Sequence, residues 1–160
     1  MKEIELNKGY FTQVDDDDYD FLIQWKWRVN IKKHTCYVYR NTRIGGRKGR
    51  SITIHIHRLI MHTPPDLVID HKDHNGLNNQ KSNLRNCTRQ QNQRNQTGRG
   101  VSKYLGVTYD KDRHVWRANI KIDKDKKWMG RFPTEIEAAV AYDQKAIIYF
   151  GEFAHLNFPK

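Results

Sequence analysis

Val68-Ile69-Asp70-His71-Lys72-Asp73-His74-Asn75-Gly76-Leu77-Asn78-Asn79, continued by Gln80-Lys81-Ser82-Asn83-Leu84-Arg85-Asn86-Cys87-Thr88-Arg89-Gln90-Gln91-Asn92, decides how this chain folds. Leu67-Val68-Ile69 is an apolar run of strand length that delivers Asp70 and His71 at its end. Lys72 to Gly76 reads as a turn, with Asn75-Gly76 expected to supply positive φ angles for the reversal. Leu84-Arg85-Asn86-Cys87 can return as the partner strand. Thr88 and Gln91 form a capping box, so a helix starts there and Asn92 sits on its first turns. The expected order is strand, long loop, strand, helix.

This order gathers a carboxylate, an imidazole and a distant amide oxygen. Together they can assemble a hydrolytic centre for a phosphodiester, whose leaving group is a poor alkoxide. Such chemistry needs a base to activate water and a cation to stabilise charge on the phosphorane. Histidine suits the base because its ordinary pKa lies near neutrality. A hard ion such as Mg²⁺ keeps several waters, so two protein oxygens, Asp70 and the Asn92 side chain, suffice. Strand alternation points Asp70 and His71 to opposite faces, so both can serve only where the strand ends or twists.

Outward from this stretch the chain is basic and only moderately apolar. Its 160 residues carry 29 Lys and Arg against 18 Asp and Glu, a formal charge of +11. The excess is spread over the whole length, which suits a long strip of contact with a polyanion. Hydrophobic residues make up 37%, and the mean hydropathy is −0.92. Several small cores are therefore expected in place of one large one. Cys36 and Cys87 are the only cysteines, which argues against a structural zinc and against a secreted disulfide framework. No apolar run approaches a membrane span and the start lacks signal-peptide character, so a soluble, cytoplasmic protein that is not secreted is expected.

Residues 1–56 read as a small β-rich segment with strand-like runs at Ile4–Leu6, Gly9–Val14, Tyr37–Tyr39 and Ile52–Ile56. The acids Asp15 to Asp18 suit a solvated turn into a helix start better than a calcium loop. Gly45-Gly46-Arg47-Lys48-Gly49-Arg50 is a basic hairpin tip. Residues 57–95 hold the central unit, opened by a short helix at His57–Met61. Residues 96–102 read as a polar linker. In 103–160, strands at Tyr104–Tyr109, Val115–Ile122 and Lys126–Phe132 precede a helix capped by Thr134 and Glu137. The fold class expected is α+β.

Two resemblances add to this. His57-Arg58-Leu59-Ile60-Met61, Asp70-His71, Asn75-Gly76, Asn78-Asn79, Ser82-Asn83-Leu84-Arg85 and Gln91-Asn92 resemble the HNH family of phage and intron-encoded endonucleases, which has a ββα-metal fold. The resemblance implies His71 as general base, Asp70 and Asn92 as ligands of Mg²⁺ or Mn²⁺, and Asn83 as the asparagine that fixes the loop and helps orient the histidine. His74, after Asp73, is an alternative base; His55, His57 and His62 suit packing or capping.

Ser102–Val107, Trp116–Ile120, Lys127–Phe132, Glu137–Asp143 and Leu156–Pro159 resemble the plant-type Apetala/ethylene-response-factor DNA-binding domain, a three-stranded antiparallel sheet packed on one helix. That resemblance implies Trp116, Arg117, Lys121, Lys127, Trp128 and Arg131 as DNA contacts, and Arg85 and Arg113 are further candidates. Leu105 and Thr108 replace arginines common in the plant domains, so a guanine-rich preference does not carry over. Trp116 and Trp128 have an alternative place in the core behind the sheet, and Lys124, Lys126 and Lys127 in a solvated hairpin tip.

The expectation is thus a site-directed, homing-type DNA endonuclease of a bacterial or phage-infected cell, acting as a monomer on double-stranded DNA. One catalytic unit in a monomer implies nicking. A non-catalytic, sequence-specific DNA-binding regulator is the alternative, and a structured-RNA binder is a third possibility from charge alone.

Overall fold

The computed structural model describes residues 1–32, 35–45, 49–94, 101–123 and 125–159. The tip at 46–48, most of the 96–102 linker and Lys124 lie outside the described residues. The chain is α+β, and its contacts group into two compact units, Met1–Thr88 and Arg89–Lys160.

The first unit opens with the antiparallel hairpin β1 (Lys2–Glu5) and β2 (Phe11–Val14). Helix α1 (Asp16–Leu22) follows, with Asp16, Asp17 and Asp18 in its first turn, where the helix dipole favours negative charge. Strands β3 (Arg28–Lys32), β4 (Thr35–Ile44) and β5 (Arg50–His55) form an antiparallel sheet in the order β3-β4-β5. The sequence reading had no strand at β3. Arg28-Val29-Asn30-Ile31-Lys32 alternates polar and apolar residues over only five positions, and pairing with β4 fixes the strand. The short helix α2 (Ile56–Ile60) leads to β6 (Val68–His71), which pairs antiparallel with β7 (Leu84–Cys87).

One apolar cluster unites these pieces. Ile4, Leu6, Val14, Leu22, Trp27, Val29, Val38, Ile56, Ile60, Ile69 and Leu84 pack together, so the N-terminal hairpin, the sheet and the β6–β7 strands share a core. Burying each large aliphatic side chain stabilises by roughly 1.5–3 kcal/mol. Trp27 satisfies its buried indole by donating from Nε1 to the Leu22 carbonyl at 2.9 Å.

The loop between β6 and β7 reverses differently from the expectation. Neither Asn75 nor Gly76 has a positive φ; His74 does, at 62°. Glycine is required at 76 for space, because a Cβ there would lie 1.8 Å from the Cys36 carbonyl oxygen. Asn75 instead turns the chain through its side chain, accepting from the Leu77 amide at 3.1 Å.

The second unit begins with α3 (Arg89–Arg94), whose Gln90 amide bonds the Asp123 carboxylate. Strands β8 (Val107–Asp110), β9 (Val115–Ile122) and β10 (Asp125–Phe132) form an antiparallel sheet with β9 in the centre. Helix α4 (Glu135–Phe150) lies on one face and buries Ala138, Ala139, Tyr142 and Ala146. Its N-terminus carries the expected Thr134–Glu137 capping box. Gly106 (φ 75°) lets the chain pass close to α4, since a Cβ would meet the Tyr142 ring at 2.1 Å. Buried Asp143 ties down the C-terminal segment by accepting from the Asn157 and Phe158 amides, both at 2.9 Å.

Candidate active site and nucleic-acid interface

The end of β6 buries both Asp70 and His71, 5% and 8% exposed. Asp70 faces Arg85, its cross-strand partner on β7. Arg85 donates from Nε at 2.7 Å, and its Nη2 lies 2.6 Å from the same Asp70 oxygen. Arg85 is thereby drawn inward, with its side chain 12% exposed. The sequence reading offered it as a DNA contact; the structure engages it with Asp70.

His71 Nε2 lies 3.3 Å from Asn79 Oδ1. Asn79 is fully buried, and its Nδ2 donates to Thr12 Oγ1 at 2.8 Å and to the Gly76 carbonyl at 3.2 Å. The Thr12 hydroxyl in turn donates to the Leu77 carbonyl at 2.8 Å. Backbone bonds from Gln13 to Leu77 and from Asn79 to Gln13, each 2.8 Å, stitch β2 to this loop. The hydrogen-bond directions then fix one another. Because the Thr12 proton goes to Leu77, Thr12 must accept from the Asn79 NH₂, and the Asn79 oxygen faces His71. Nε2 is therefore the protonated nitrogen of neutral His71, and Nδ1 carries the lone pair.

Asn83 acts on the loop through Asp73. Its Nδ2 donates to Asp73 Oδ1 at 2.9 Å and to the Asn78 carbonyl at 2.8 Å, and its Oδ1 accepts from the Asp73 amide at 3.1 Å. Loop fixing thus falls to Asn83, and the amide that meets His71 Nε2 belongs to Asn79. Burial and the hydrogen bonds from Asn75, Asn78 and Asn83 pull the Asp73 carboxyl in opposite directions, and the hydrogen bonds hold it below its ordinary value.

Electrostatics favour a neutral imidazole at position 71. Burial pushes its pKa below the ordinary value, against the Asn79 hydrogen bond and the Asp73 and Asp70 charges, which push it up. His57, on α2, lies edge-on to His71 with ring centroids 5.4 Å apart and stacks on His55 at the same distance. Burial first, then His71, His55 and Arg58, push His57 down to about 3. The sequence reading left His57 to packing. Its place beside His71, like that of Thr12 and Asn79, carried no local signal.

Asn92 lies on α3, half-buried, and groups with the second unit, whereas Asp70 and His71 belong to the first. Among the described residues no three His, Cys, Asp or Glu side chains gather as a cage for a metal. A cation bound through Asp70 would take oxygen donors, which fits a hard ion completing its shell with water and phosphate.

The face of the C-terminal sheet turned away from α4 is basic. Ala118 and Ile120 pack on the helix side, so alternation turns Arg117 and Lys121 outward. Arg131 pairs opposite Arg117 and shares that face. Trp128, opposite Asn119, is 58% exposed, with the Arg131 guanidinium 5.4 Å from its ring centroid. Arg113 sits in the exposed β8–β9 turn. Two expected contacts fall elsewhere. Trp116 packs against the helix-side core, and Lys127 reaches the Tyr149 ring of α4 at 5.9 Å. Lys127 and Arg131 are four positions apart and would share a face in a regular strand; the slip in register between Trp128 and Gly130 puts Lys127 opposite Ile120 on the helix side and Arg131 opposite Arg117 outside.

A second basic surface lies on the first unit. Lys26, Arg28, Arg40, Asn41, Thr42, Arg43 and Ser51 line a cavity of about 400 Å³ with no carboxylate in its wall. Arg40 stacks 4.4 Å over Trp25.

Residues 54–94 match the family model described as HNH endonuclease. The chain carries an HNH endonuclease segment. An uncharacterized HNH endonuclease of Acanthamoeba polyphaga mimivirus is 29% identical over 94% of this chain and 76% of its own length. The C-terminal region is similar to plant factors of the AP2/ERF type. Dehydration-responsive element-binding protein 2E of Arabidopsis thaliana is 52% identical over 21% of this chain and 14% of its own. An ethylene-responsive transcription factor of the same plant is 38% identical over 35% and 32%. These plant matches are partial and fall in the C-terminal region. Among the described residues no helix is long and apolar enough to cross a membrane.

Proposed function

We propose that this HNH chain is a divalent-metal-dependent, site-directed DNA endonuclease that nicks one strand of a duplex, with His71 as general base. The observation that carries this is the buried His71, kept neutral by its surroundings and locked through Nε2 onto Asn79. The lone pair on Nδ1 can take a proton from water as that water attacks a phosphodiester. The imidazolium then formed keeps its Nε2–H on the Asn79 oxygen, so the ring needs no reorientation during proton transfer. Asn83 and Asp73 hold the loop that shapes this pocket.

Asp70 and Asn92 are the residues that would hold Mg²⁺ or Mn²⁺. Such an ion, when bound, stabilises charge on the phosphorane and the leaving oxygen. Arg85 orients the Asp70 carboxylate through two contacts to the same oxygen. The outer face of the C-terminal sheet holds the duplex and supplies most of the sequence preference, through Arg113, Arg117, Lys121, Trp128 and Arg131. The protein acts as a monomer in the cytoplasm of a bacterial or phage-infected cell, and cutting of both strands takes two events or a dimer.

Supercoiled-plasmid nicking with Mg²⁺ tests the reading. The wild type should convert plasmid to open circle and His71→Ala should not. Wild-type protein that leaves plasmid and a genomic-fragment library intact in both Mg²⁺ and Mn²⁺ would leave only the DNA-binding regulator. A His71→Ala chain that nicks at the wild-type rate would remove His71 as base.

A further inference from the structure

Asp110 is the last residue of the edge strand β8, on the outer face of the C-terminal sheet, and is 6% exposed. Three guanidiniums from three places converge on its Oδ2. Arg117 of β9 donates directly through Nη2. Arg113 Nη1 of the β8–β9 turn lies 3.6 Å away and Arg131 Nε of β10 lies 4.0 Å away. Arg117 Nε is buried without a hydrogen-bond partner among the described residues, so Asp110 is the polar group that fixes this guanidinium. Arg131 also leans on the Trp128 ring, which joins the carboxylate, three arginines and an exposed aromatic into one array.

We propose that Asp110 is a positioning residue that sets the sequence preference of this sheet by holding Arg117, and around it Arg113 and Arg131, in a fixed array. The inference rests on the reading of this face as the one that meets DNA. An arginine side chain carries about 2 kcal/mol of rotamer entropy, and its planar fork reads a base edge only when aimed. A guanidinium held by a buried carboxylate presents its remaining donors in one direction. The same guanidinium released from the carboxylate follows the nearest phosphate, which adds affinity without sequence information. Asp110 also removes one unit of positive charge from the face, which restrains binding to random duplex. A carboxylate on a phosphate-binding surface weakens attraction; Asp110 accepts from the Arg113 backbone amide, which shapes the turn, and orders the arginines around it.

The test compares Asp110→Asn, Arg117→Lys and Arg117→Ala in the full chain. The probes are a duplex selected by the wild-type protein from a randomised pool and the unselected pool itself, titrated at several salt concentrations. Asp110→Asn keeps the shape of the side chain and should lower the selected-to-random affinity ratio about tenfold. It should also steepen the salt dependence by about 0.9 in log–log slope, as one freed arginine reaches a phosphate. Arg117→Lys keeps the charge and loses the fork, so the ratio should fall with the slope unchanged. If Asp110→Asn does not melt cooperatively, Arg117→Lys decides, and a wild-type ratio in that variant overturns the proposal. Equal weakening on both probes with an unchanged slope would make Asp110 merely structural and also overturn it. Loss of the ratio in Arg117→Ala with wild-type behaviour in Asp110→Asn removes Asp110 alone. An Arg117→Ala chain that binds both probes like wild type removes the sheet as reader, and this role with it.

Discussion

Replacing Asn79 by alanine removes the oxygen that faces His71 Nε2 at 3.3 Å. In the ground state this exposes a buried N–H without its acceptor, at about 1–3 kcal/mol of stability. The larger effect falls on the transition state, where His71 becomes an imidazolium and its Nε2–H bond becomes charge-assisted. Hydrogen bonds to charged groups contribute about 1.5–3 kcal/mol, so the single-turnover nicking rate should fall about ten- to 150-fold with Mg²⁺ saturating. The pH dependence has a definite sign. The Asn79 bond raises the His71 pKa, so its loss should move the acid limb of the rate profile to lower pH while the plateau drops. Thr12→Val is the milder companion, because it leaves the Asn79 oxygen in place and removes the hydroxyl that orients the amide. The amide can then turn its NH₂ toward Nε2, which selects the tautomer protonated on Nδ1 and withdraws the lone pair. The assay is single-turnover plasmid nicking across pH, with thermal melting to confirm folding. A folded Asn79→Ala protein with a wild-type plateau would refute the assignment of Nδ1 as the accepting nitrogen. An acid limb that moves upward would refute the electrostatic reasoning.

Three further outcomes are expected. Arg85→Ala removes a buried ion-pair partner of Asp70 and should destabilise the protein by about 3 kcal/mol in urea; saturating Mg²⁺ should restore more stability to this variant than it adds to wild type, and equal increments would count against Asp70 as a cation ligand. His57 is pushed down to about 3, so the unfolded chain binds its proton first: the stabilisation is present above the unfolded value near 6.5 and is lost as pH falls below it. That amounts to about 2 kcal/mol by pH 5, and His57→Phe should flatten the urea-midpoint curve between about pH 7 and 5; an unchanged slope would mean that His57 is not the group responsible. Replacing Lys26, Arg28 and Arg40 by alanine should raise KM for plasmid and lessen its salt dependence with kcat retained, whereas an unchanged KM would show that the carboxylate-free cavity of the first unit does not touch DNA.

The strand–loop–strand–helix order, the capped helix α4 and the basic character were legible in the sequence because each rests on neighbours a few residues apart. A strand is announced by alternation, a cap by a threonine and a glutamate three positions on, and polyanion affinity by composition. The residues that surround His71 were not legible in this way. Thr12 and Asn79 are 67 positions apart, and no local pattern marks an amide that must face an imidazole. Asn78 and Asn79 look alike in sequence, yet only the β2 backbone at Gln13 brings the second into the pocket. Gly76 was correctly read as a required glycine for the wrong reason, since the constraint comes from Cys36 on another strand.

The same division holds on the C-terminal sheet. The sequence by itself determined three strands, one helix and an excess of lysine and arginine. Which of those charges face outward was decided by the slip in register at Trp128 and Gly130, which leaves Arg131 beside Arg117 and sends Lys127 toward α4. Spacing along the chain encodes periodicity, and periodicity suffices to form elements. A hydrogen-bond direction, a buried ion pair or a shared face depends on distances between elements, and those exist only once the cores have packed.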